Sequence, residues 1–328
     1  PTQDNLNTFV EYVWAFNISR IIMLTPTVTY NTRHCYEYWP TSVKLPLNCG
    51  DIQIELVASV TRADWIKRTL SLRKEGFGSP RQIEQYQFKS SPDTCVDPSV
   101  LLSVRRYILK SKRTCNAPCG PVLVHGGHNF DMAGTYIAIE ESLDRMEDTK
   151  SVQIFNFVLH LRKKNPRMVE TLQSYQLIYQ TVILHTLCDD TSLTRNKMDG
   201  LLKFLLLRCP DSGKSGFDVE FGLLNKLTPS LTTGDCAAGH RRENKMKNRQ
   251  NYALPRDSCR PYLSTVVGYR ENDYINAVYV NSFHREREFI VTQWPLENTK
   301  DDMWRMMYDC EVATLVLLDH ITTRFASW

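Results

Sequence analysis

Between Pro121 and Thr135 a short apolar run meets a cluster of glycines, and a helical pattern follows: Pro121-Val122-Leu123-Val124-His125-Gly126-Gly127-His128-Asn129-Phe130-Asp131-Met132-Ala133-Gly134-Thr135. Residues 122–124 read as a buried strand, and residues 135–148 as a helix with Ile139, Leu143 and Met146 on one face. A strand-loop-helix of this kind aims backbone N–H groups and the positive end of a helix at one spot, which suits a phosphate or a thiol of lowered pKa. The side chains supply neither a thiol nor a cation there. Asp131 works against phosphate, because a carboxylate can occupy the positive helix end itself and repel a second anion.

The segments before this loop are strand-rich. Residues 1–14 read as a helix and 20–24 as an apolar strand, followed by strands at 52–60, 65–73 and 83–88. In 65–73, Ile66, Leu70 and Leu72 alternate with Lys67, Thr69, Ser71 and Arg73. Asp97-Pro98 is the start signal of a helix whose Val100, Leu101, Val104 and Ile108 point inward. After the loop come helices at 151–162 and 171–187, the second with Leu172, Tyr175, Tyr179 and Val182 on one stripe. Strands followed by helices around a phosphate-type loop predict an α+β layer architecture, a central mixed sheet flanked by helices.

Composition narrows the function classes. The chain has 328 residues, 42% hydrophobic and 23% charged, with net charge +4, a balance that fits a soluble globular chain. Basic runs at 105–113 and 241–249 are nearly offset by acidic residues elsewhere and read as solvated faces, so no nucleic-acid partner is expected. The longest apolar run, near residues 201–207, falls short of the ~20 residues that span a membrane. With Pro1 first and no leader visible, the expectation is a piece of a longer protein. Ten cysteines without framework spacing read as reduced thiols. Cys115 and Cys119 near His125 and His128 match no standard zinc set, and no metal or cofactor is expected. His128 reads as a capping or hydrogen-bonding group rather than a phosphoryl acceptor. Gly213-Lys214-Ser215 lacks both the first glycine and the leading strand of a nucleotide loop, which makes residues 188–216 a linker.

The loop resembles the phosphate-binding loop of protein tyrosine phosphatases, whose pattern is His-Cys, five residues, then Arg-Ser/Thr-Gly. His125 matches, Gly126 stands at the nucleophilic Cys, and Gly127, His128, Asn129, Phe130 and Asp131 fill the interval. Met132 stands at the Arg, Ala133 continues the loop, and Gly134-Thr135 match the opening of the helix. Glycine has no side chain to attack phosphorus. A thioether cannot replace the bidentate grip of a guanidinium. Cys35-Tyr36-Glu37-Tyr38-Trp39-Pro40 resembles the family's Cys-x-x-Tyr-Trp-Pro. Residues 88–93 resemble the mobile Trp-Pro-Asp loop: Asp93 is retained at the general-acid position, while Ser91 replaces the hinge Trp. Residues 168–175 resemble the segment whose two glutamines position the hydrolytic water, and both are changed, to Glu170 and Ser174. Four parts of one mechanism altered together imply loss of catalysis rather than rerouted chemistry.

From Phe217, which shares a helix face with Phe221 and Leu224, a second set of landmarks begins: Lys247-Asn248-Arg249, residues 272–277 and residues 289–299. These resemble the N-terminal half of a tyrosine phosphatase domain, with Gln250 where the family has a substrate-stacking Tyr. Residues 295–314 and 315–318 also resemble residues 1–20 and 21–24, an offset of 294 (295 − 1), a repeat one domain long. The resemblance therefore implies residues 1–187 as the C-terminal half of a first phosphatase-like domain, 188–216 as a linker, and 217–328 as the N-terminal half of a second. That order also allows the two halves to pair within the chain. The set is most similar to receptor-type tandem phosphatases with MAM ectodomains. It implies a soluble, cytoplasmic portion of a membrane receptor whose first domain is a pseudophosphatase, a binding or regulatory module whose partners are phosphotyrosine proteins or other phosphatase domains. Two alternatives stay open: an active phosphotyrosine phosphatase using Asp93, and a phosphate-independent adaptor.

Overall fold

The computed structural model describes residues 1–26, 28, 29, 32, 33, 35–89, 96–112, 120–126, 130–188, 193–210, 212–264 and 272–318. They form two compact units, Pro1–Leu227 and Thr228–Trp328.

In the first unit, α1 (Leu6–Ala15) and β1 (Arg20–Met23) precede a small ribbon, β2 (Val28–Thr29) with β3 (Thr32–Arg33). Then come β4 (Leu47–Cys49), β5 (Ile52–Thr61), β6 (Trp65–Lys74), β7 (Arg81–Phe88), α2 (Pro98–Lys112), β8 (Val122–His125) and α3 (Asp131–Thr149). Helices α4 (Ile154–Lys164), α5 (Leu172–Cys188), α6 (Met198–Leu206) and α7 (Gly216–Leu227) complete it. The six-stranded sheet runs β4-β5-β6-β7-β1-β8. From β4 to β7 neighbours are antiparallel, whereas β1 pairs in parallel with both β7 and β8. The α+β mixed sheet expected from the sequence is therefore present.

Both faces of the sheet are covered, which is why β1 is apolar after Arg20, with Ile21, Ile22 and Met23 all buried. Ile22 and Leu24 join Tyr86, Phe88, Val104, Leu143 and Ile178 in a core beneath the helices that follow the sheet. Ile21 and Met23 join Val10, Tyr38, Ile54 and Leu70 in a second core beneath α1. Helix α2 starts as the Asp97-Pro98 signal predicts, with Asp97 Oδ1 accepting from Ser99 N at 2.7 Å. Gly213 lies in a tight turn at φ +66, and Ser215 accepts from Asp218 N while Asp218 Oδ2 accepts from Ser215 N. The Gly213-Lys214-Ser215 stretch thus caps α7 and holds no nucleotide loop.

Two sequence expectations need correction. Among the described residues strand β8 stands at the edge of the sheet, half-buried along most of its length, with Val122 46% exposed. The buried residues of α5 are Ser174, Leu177, Ile178, Thr181 and Val182. Of the expected stripe, Leu172 is 69% exposed and Tyr179 38%. Polar and apolar residues are spread around helix α5, so periodicity singles out no face, and packing against α2 and α3 decides it.

The second unit holds α8 (Ala237–His240), an antiparallel ribbon of β9 (Ala277–Val280) and β10 (Phe289–Thr292), and α9 (Lys300–Asp309). Leu263, Ile275, Ala277, Met303 and Met306 form its core.

The repeat seen in the sequence recurs in backbone detail through residue 312, whereas residues 315–318, expected to repeat the strand at 21–24, form no strand. Helices α1 and α9 are each 10 residues long, and both their first residues, Leu6 and Lys300 (300 − 6), and their last are 294 apart. Each ends in a left-handed residue, Asn17 at φ 52 and Glu311 at φ 52, the same offset. The closing hydrogen bonds match too: Ile18 N to Val13 O at 3.0 Å in one, Val312 N to Met307 O at 2.8 Å in the other.

Candidate functional site

The loop begins where β8 ends, and its first residue is fixed by a relay across the sheet. Trp39 stacks on the Arg68 guanidinium, 4.4 Å from ring centroid to Cζ. Arg68 Nη1 donates to Gln85 Oε1 at 3.0 Å, and Gln85 Nε2 donates to Tyr38 Oη at 2.8 Å. With that lone pair taken, Tyr38 donates its own O–H to His125 Nε2 at 3.0 Å. Burial, with the nearby chain amino group second, lowers the His125 pKa to about 4, so the ring is a neutral acceptor. Burial raises the Tyr38 hydroxyl above its ordinary range, which keeps the donor protonated. The expected Cys-x-x-Tyr-Trp-Pro segment therefore acts through Tyr38 and Trp39 on the residue that opens the loop.

Gly126 is half-buried and brings no side chain to the site. Met132, at the position where the sequence pattern calls for a cation, is partly buried and packs against the core beneath the helices. Ala133 is buried, and Phe130 is exposed at the helix start. No cation therefore stands at Gly126, Phe130, Met132 or Ala133. Gly127, His128 and Asn129 lie outside the described residues, as does Asp93 with residues 90–95.

The main departure from the sequence reading concerns Asp131. Its side chain does not cap its own helix, since the N-cap of α3 is Phe130 without a side-chain cap bond. Instead the carboxylate, in a residue only 6% exposed, holds the start of α5. Asp131 Oδ1 accepts from Glu170 N at 2.6 Å, and Oδ2 accepts from Ser174 Oγ at 2.8 Å. Thr171 Oγ1 donates to Ser174 Oγ at 2.9 Å while accepting from Ser174 N at 3.1 Å, the reciprocal geometry of a helix cap. The two positions expected to have lost a water-orienting role, Glu170 and Ser174, are thus both in contact with the loop's own carboxylate. Only the Glu170 backbone takes part; its side chain lies 3.5 Å from Arg167 at the surface.

The turn before α5 seats closely on α3. A Cβ at Gly134 would lie 2.7 Å from Met168 Cβ, so only glycine permits this approach. Val169 in the same turn holds φ 57 and is fully buried, with Arg162 Nη2 donating to its carbonyl. Sequence reasoning missed this clamp. Its signal was the joint appearance of Asp131 and Ser174, an acceptor and a donor at two separately altered positions.

In the second unit, the three landmark segments converge. Lys247 Nζ donates to Asn272 Oδ1 at 2.9 Å and pairs with Asp302 Oδ2 at 2.8 Å. Asn248 Oδ1 accepts from Tyr274 Oη at 2.6 Å and Asn276 Nδ2 at 2.9 Å. Arg249 N donates to Gln293 Oε1 at 2.9 Å. Gln250 is exposed beside them and offers no aromatic face. Among the described residues no group of His, Cys, Asp and Glu is arranged to hold a metal ion, and no helix is long and apolar enough to cross a membrane.

Against known proteins, the profile described as protein-tyrosine phosphatase matches residues 1–184 and 244–325. The chain is 31% identical over all of its length to receptor-type tyrosine-protein phosphatase U of Gallus gallus, covering 22% of that protein. It is 29% identical over 98% of its length to tyrosine-protein phosphatase 69D of Drosophila melanogaster, covering 22% of it. It is 29% identical over 99% of its length to receptor-type tyrosine-protein phosphatase epsilon of Mus musculus, covering 46%. The chain thus spans from about a fifth to under half of these relatives.

Proposed function

The chain belongs to the protein-tyrosine phosphatase family, and from that premise we propose that it is a member without turnover, a binding or regulatory module in phosphotyrosine signalling. The observation that carries this reading is the pair Gly126 and Met132: one has no side chain, and the other, partly buried against the core, puts a thioether where a guanidinium would face the phosphate. Phosphoryl transfer to the protein needs a nucleophile at the helix end, and the transferred group needs a cation. The Asp131 carboxylate beside that end adds negative charge and uses Ser174 as its own donor. The changes at Ser91, Glu170 and Ser174 support the same reading.

The receptor-type names of the relatives and the 294-residue repeat support placing the chain in a tandem phosphatase, as the end of one domain and the start of the next. On that reading the chain is a soluble cytoplasmic portion of a membrane receptor, and its partners are phosphotyrosine proteins or other phosphatase domains.

The test is hydrolysis by the Gly126→Cys/Met132→Arg variant. Restoring both groups leaves Asp131, Glu170 and Ser174 in place, so the expected result is turnover far below that of an intact family member. Full turnover would mean that two substitutions alone account for the loss. In titration with phosphorylated and unphosphorylated forms of one tyrosyl peptide, the reading expects the phosphorylated form to bind more tightly; equal affinities would favour a phosphate-independent adaptor instead.

A further inference from the structure

Between Asp148 and Asp189 the chain carries one acidic residue, Glu170, and five basic ones, Lys150, Arg162, Lys163, Lys164 and Arg167. That stretch holds a net +4 (5 − 1), as much as the whole chain's +4. Four of the five cations fall within residues 162–167, the end of α4 and the bend that leads to α5.

Part of this charge has a structural use. The negative end of a helix amounts to about half a charge, and Arg162 donates to the carbonyls of Met168 and Val169. Arg167 lies 3.5 Å from Glu170 with both side chains exposed, and water screening leaves such a pair little hold on either partner. Lys163 and Lys164 are exposed and pair with no described residue. These two lysines and Arg167 are a surplus that closing α4 does not use. Ammonium and guanidinium groups without a buried partner are costly to take out of water, so they mark a face that meets solvent or an anion rather than apolar surface. The bend also has a set shape. Asn165 O accepts from Met168 N at 3.0 Å, and Asn165 Oδ1 accepts from Arg167 N at 3.0 Å. Met168 seats on Gly134 and the Glu170 amide on Asp131, which carries the cations to a fixed place beside the start of α3. Gly126, Phe130, Met132 and Ala133 offer no cation there.

We infer, on the reading of this chain as a phosphotyrosine-binding module, that the phosphate of its partner is met by Lys163, Lys164 and Arg167, outside the loop. A phosphate brings close to two negative charges and three acceptor oxygens, and ammonium and guanidinium donors form charge-assisted hydrogen bonds to it. The Asp131 carboxylate turns an anion away from the helix end, and the neighbouring bend supplies the positive charge that the loop lacks.

The test is calorimetric titration of the full chain with a blocked nine-residue peptide centred on phosphotyrosine. Controls are its unphosphorylated form and a form with two glutamates at the centre. The Lys163→Gln/Lys164→Gln/Arg167→Gln chain is expected to bind the phosphopeptide about five- to tenfold more weakly with unchanged melting, whereas Lys163→Arg/Lys164→Arg binds it as the parent chain does. Raising salt from about 0.05 M to about 0.5 M is expected to weaken the parent more than the glutamine variant. Phosphopeptide affinity undiminished in the glutamine variant overturns this inference and leaves the module reading in place. Equal affinity of the parent for the phosphorylated and unphosphorylated peptides overturns both. Binding of the glutamate form as tight as that of the phosphopeptide assigns the bend to acidic segments in general and overturns the phosphate assignment.

Discussion

Replacing Asp131 with Ala removes the acceptor that joins α3 to the start of α5. Two good hydrogen bonds are lost, from Glu170 N at 2.6 Å and Ser174 Oγ at 2.8 Å. Hydrogen bonds to a charged acceptor contribute about 1.5–3 kcal/mol each, and part of that returns because the buried carboxylate is no longer held away from water. Thr171 Oγ1 at 3.4 Å adds little. Ser174 keeps Thr171 as a partner, and the Glu170 amide sits near the surface, so water recovers some of the loss. The net cost is about 2–3 kcal/mol, a fall in melting temperature of roughly 5–10 °C for a unit of this size. Hydrogen exchange at the Glu170 and Ser174 amides localises the effect, with protection falling there before it falls in β1. A double-mutant cycle of Asp131→Ala with Ser174→Ala should give a coupling of about 1–2 kcal/mol. Additive effects within about 0.5 kcal/mol would refute the clamp.

Gly134→Ala should destabilise by about 1–3 kcal/mol, because its Cβ would lie 2.7 Å from Met168 Cβ; an unchanged thermal melt would contradict the close seat of α3. The stability contribution of His125 follows from its pKa, about 4 folded against 6.5 as the ordinary value. Between those values the unfolded chain binds more protons, so stability falls as pH drops from about 6.5 to 4, by about 3 kcal/mol in all, and His125→Leu should flatten that slope in denaturant titrations. Arg105→Met leaves Glu140, Asp144 and Glu147 facing one another without their cation; the carboxylates can turn to solvent, so a cost of about 2 kcal/mol is expected in urea unfolding, less in high salt.

Most of the scaffold was legible in the residues because its signals are local. The alternation in 65–73, the Asp97-Pro98 cap and the apolar and helical patterns on either side of the glycine loop each report on a few neighbouring positions, and β6, α2, β8 and α3 lie where those signals put them. The repeat was legible as well, since the same residues close α1 and α9 in the same way. The buried face of helix α5 was only half legible, Val182 and Tyr175 packing inward while Leu172 and Tyr179 do not, because its polar and apolar residues are spread around the helix and only the packing partner breaks the tie. The edge position of β8 among the described residues was hidden for a similar reason: a run of valine and leucine fits a central strand and an edge strand equally well. Asp131 was recognised as hostile to phosphate, but its partners lie about 40 positions on in sequence, at Glu170 and Ser174, and no local pattern links them. The relay from Arg68 to His125 is longer still in sequence and rests on Gln85, a residue with no motif of its own.

The central claim is that this phosphatase-family loop performs no hydrolysis, and its most direct test is steady-state turnover of a phosphotyrosyl peptide by the purified chain alongside Asp93→Asn. The account predicts phosphate release equal to the buffer background for both proteins. Release above background that falls with Asp93→Asn would show a working general acid and contradict the account.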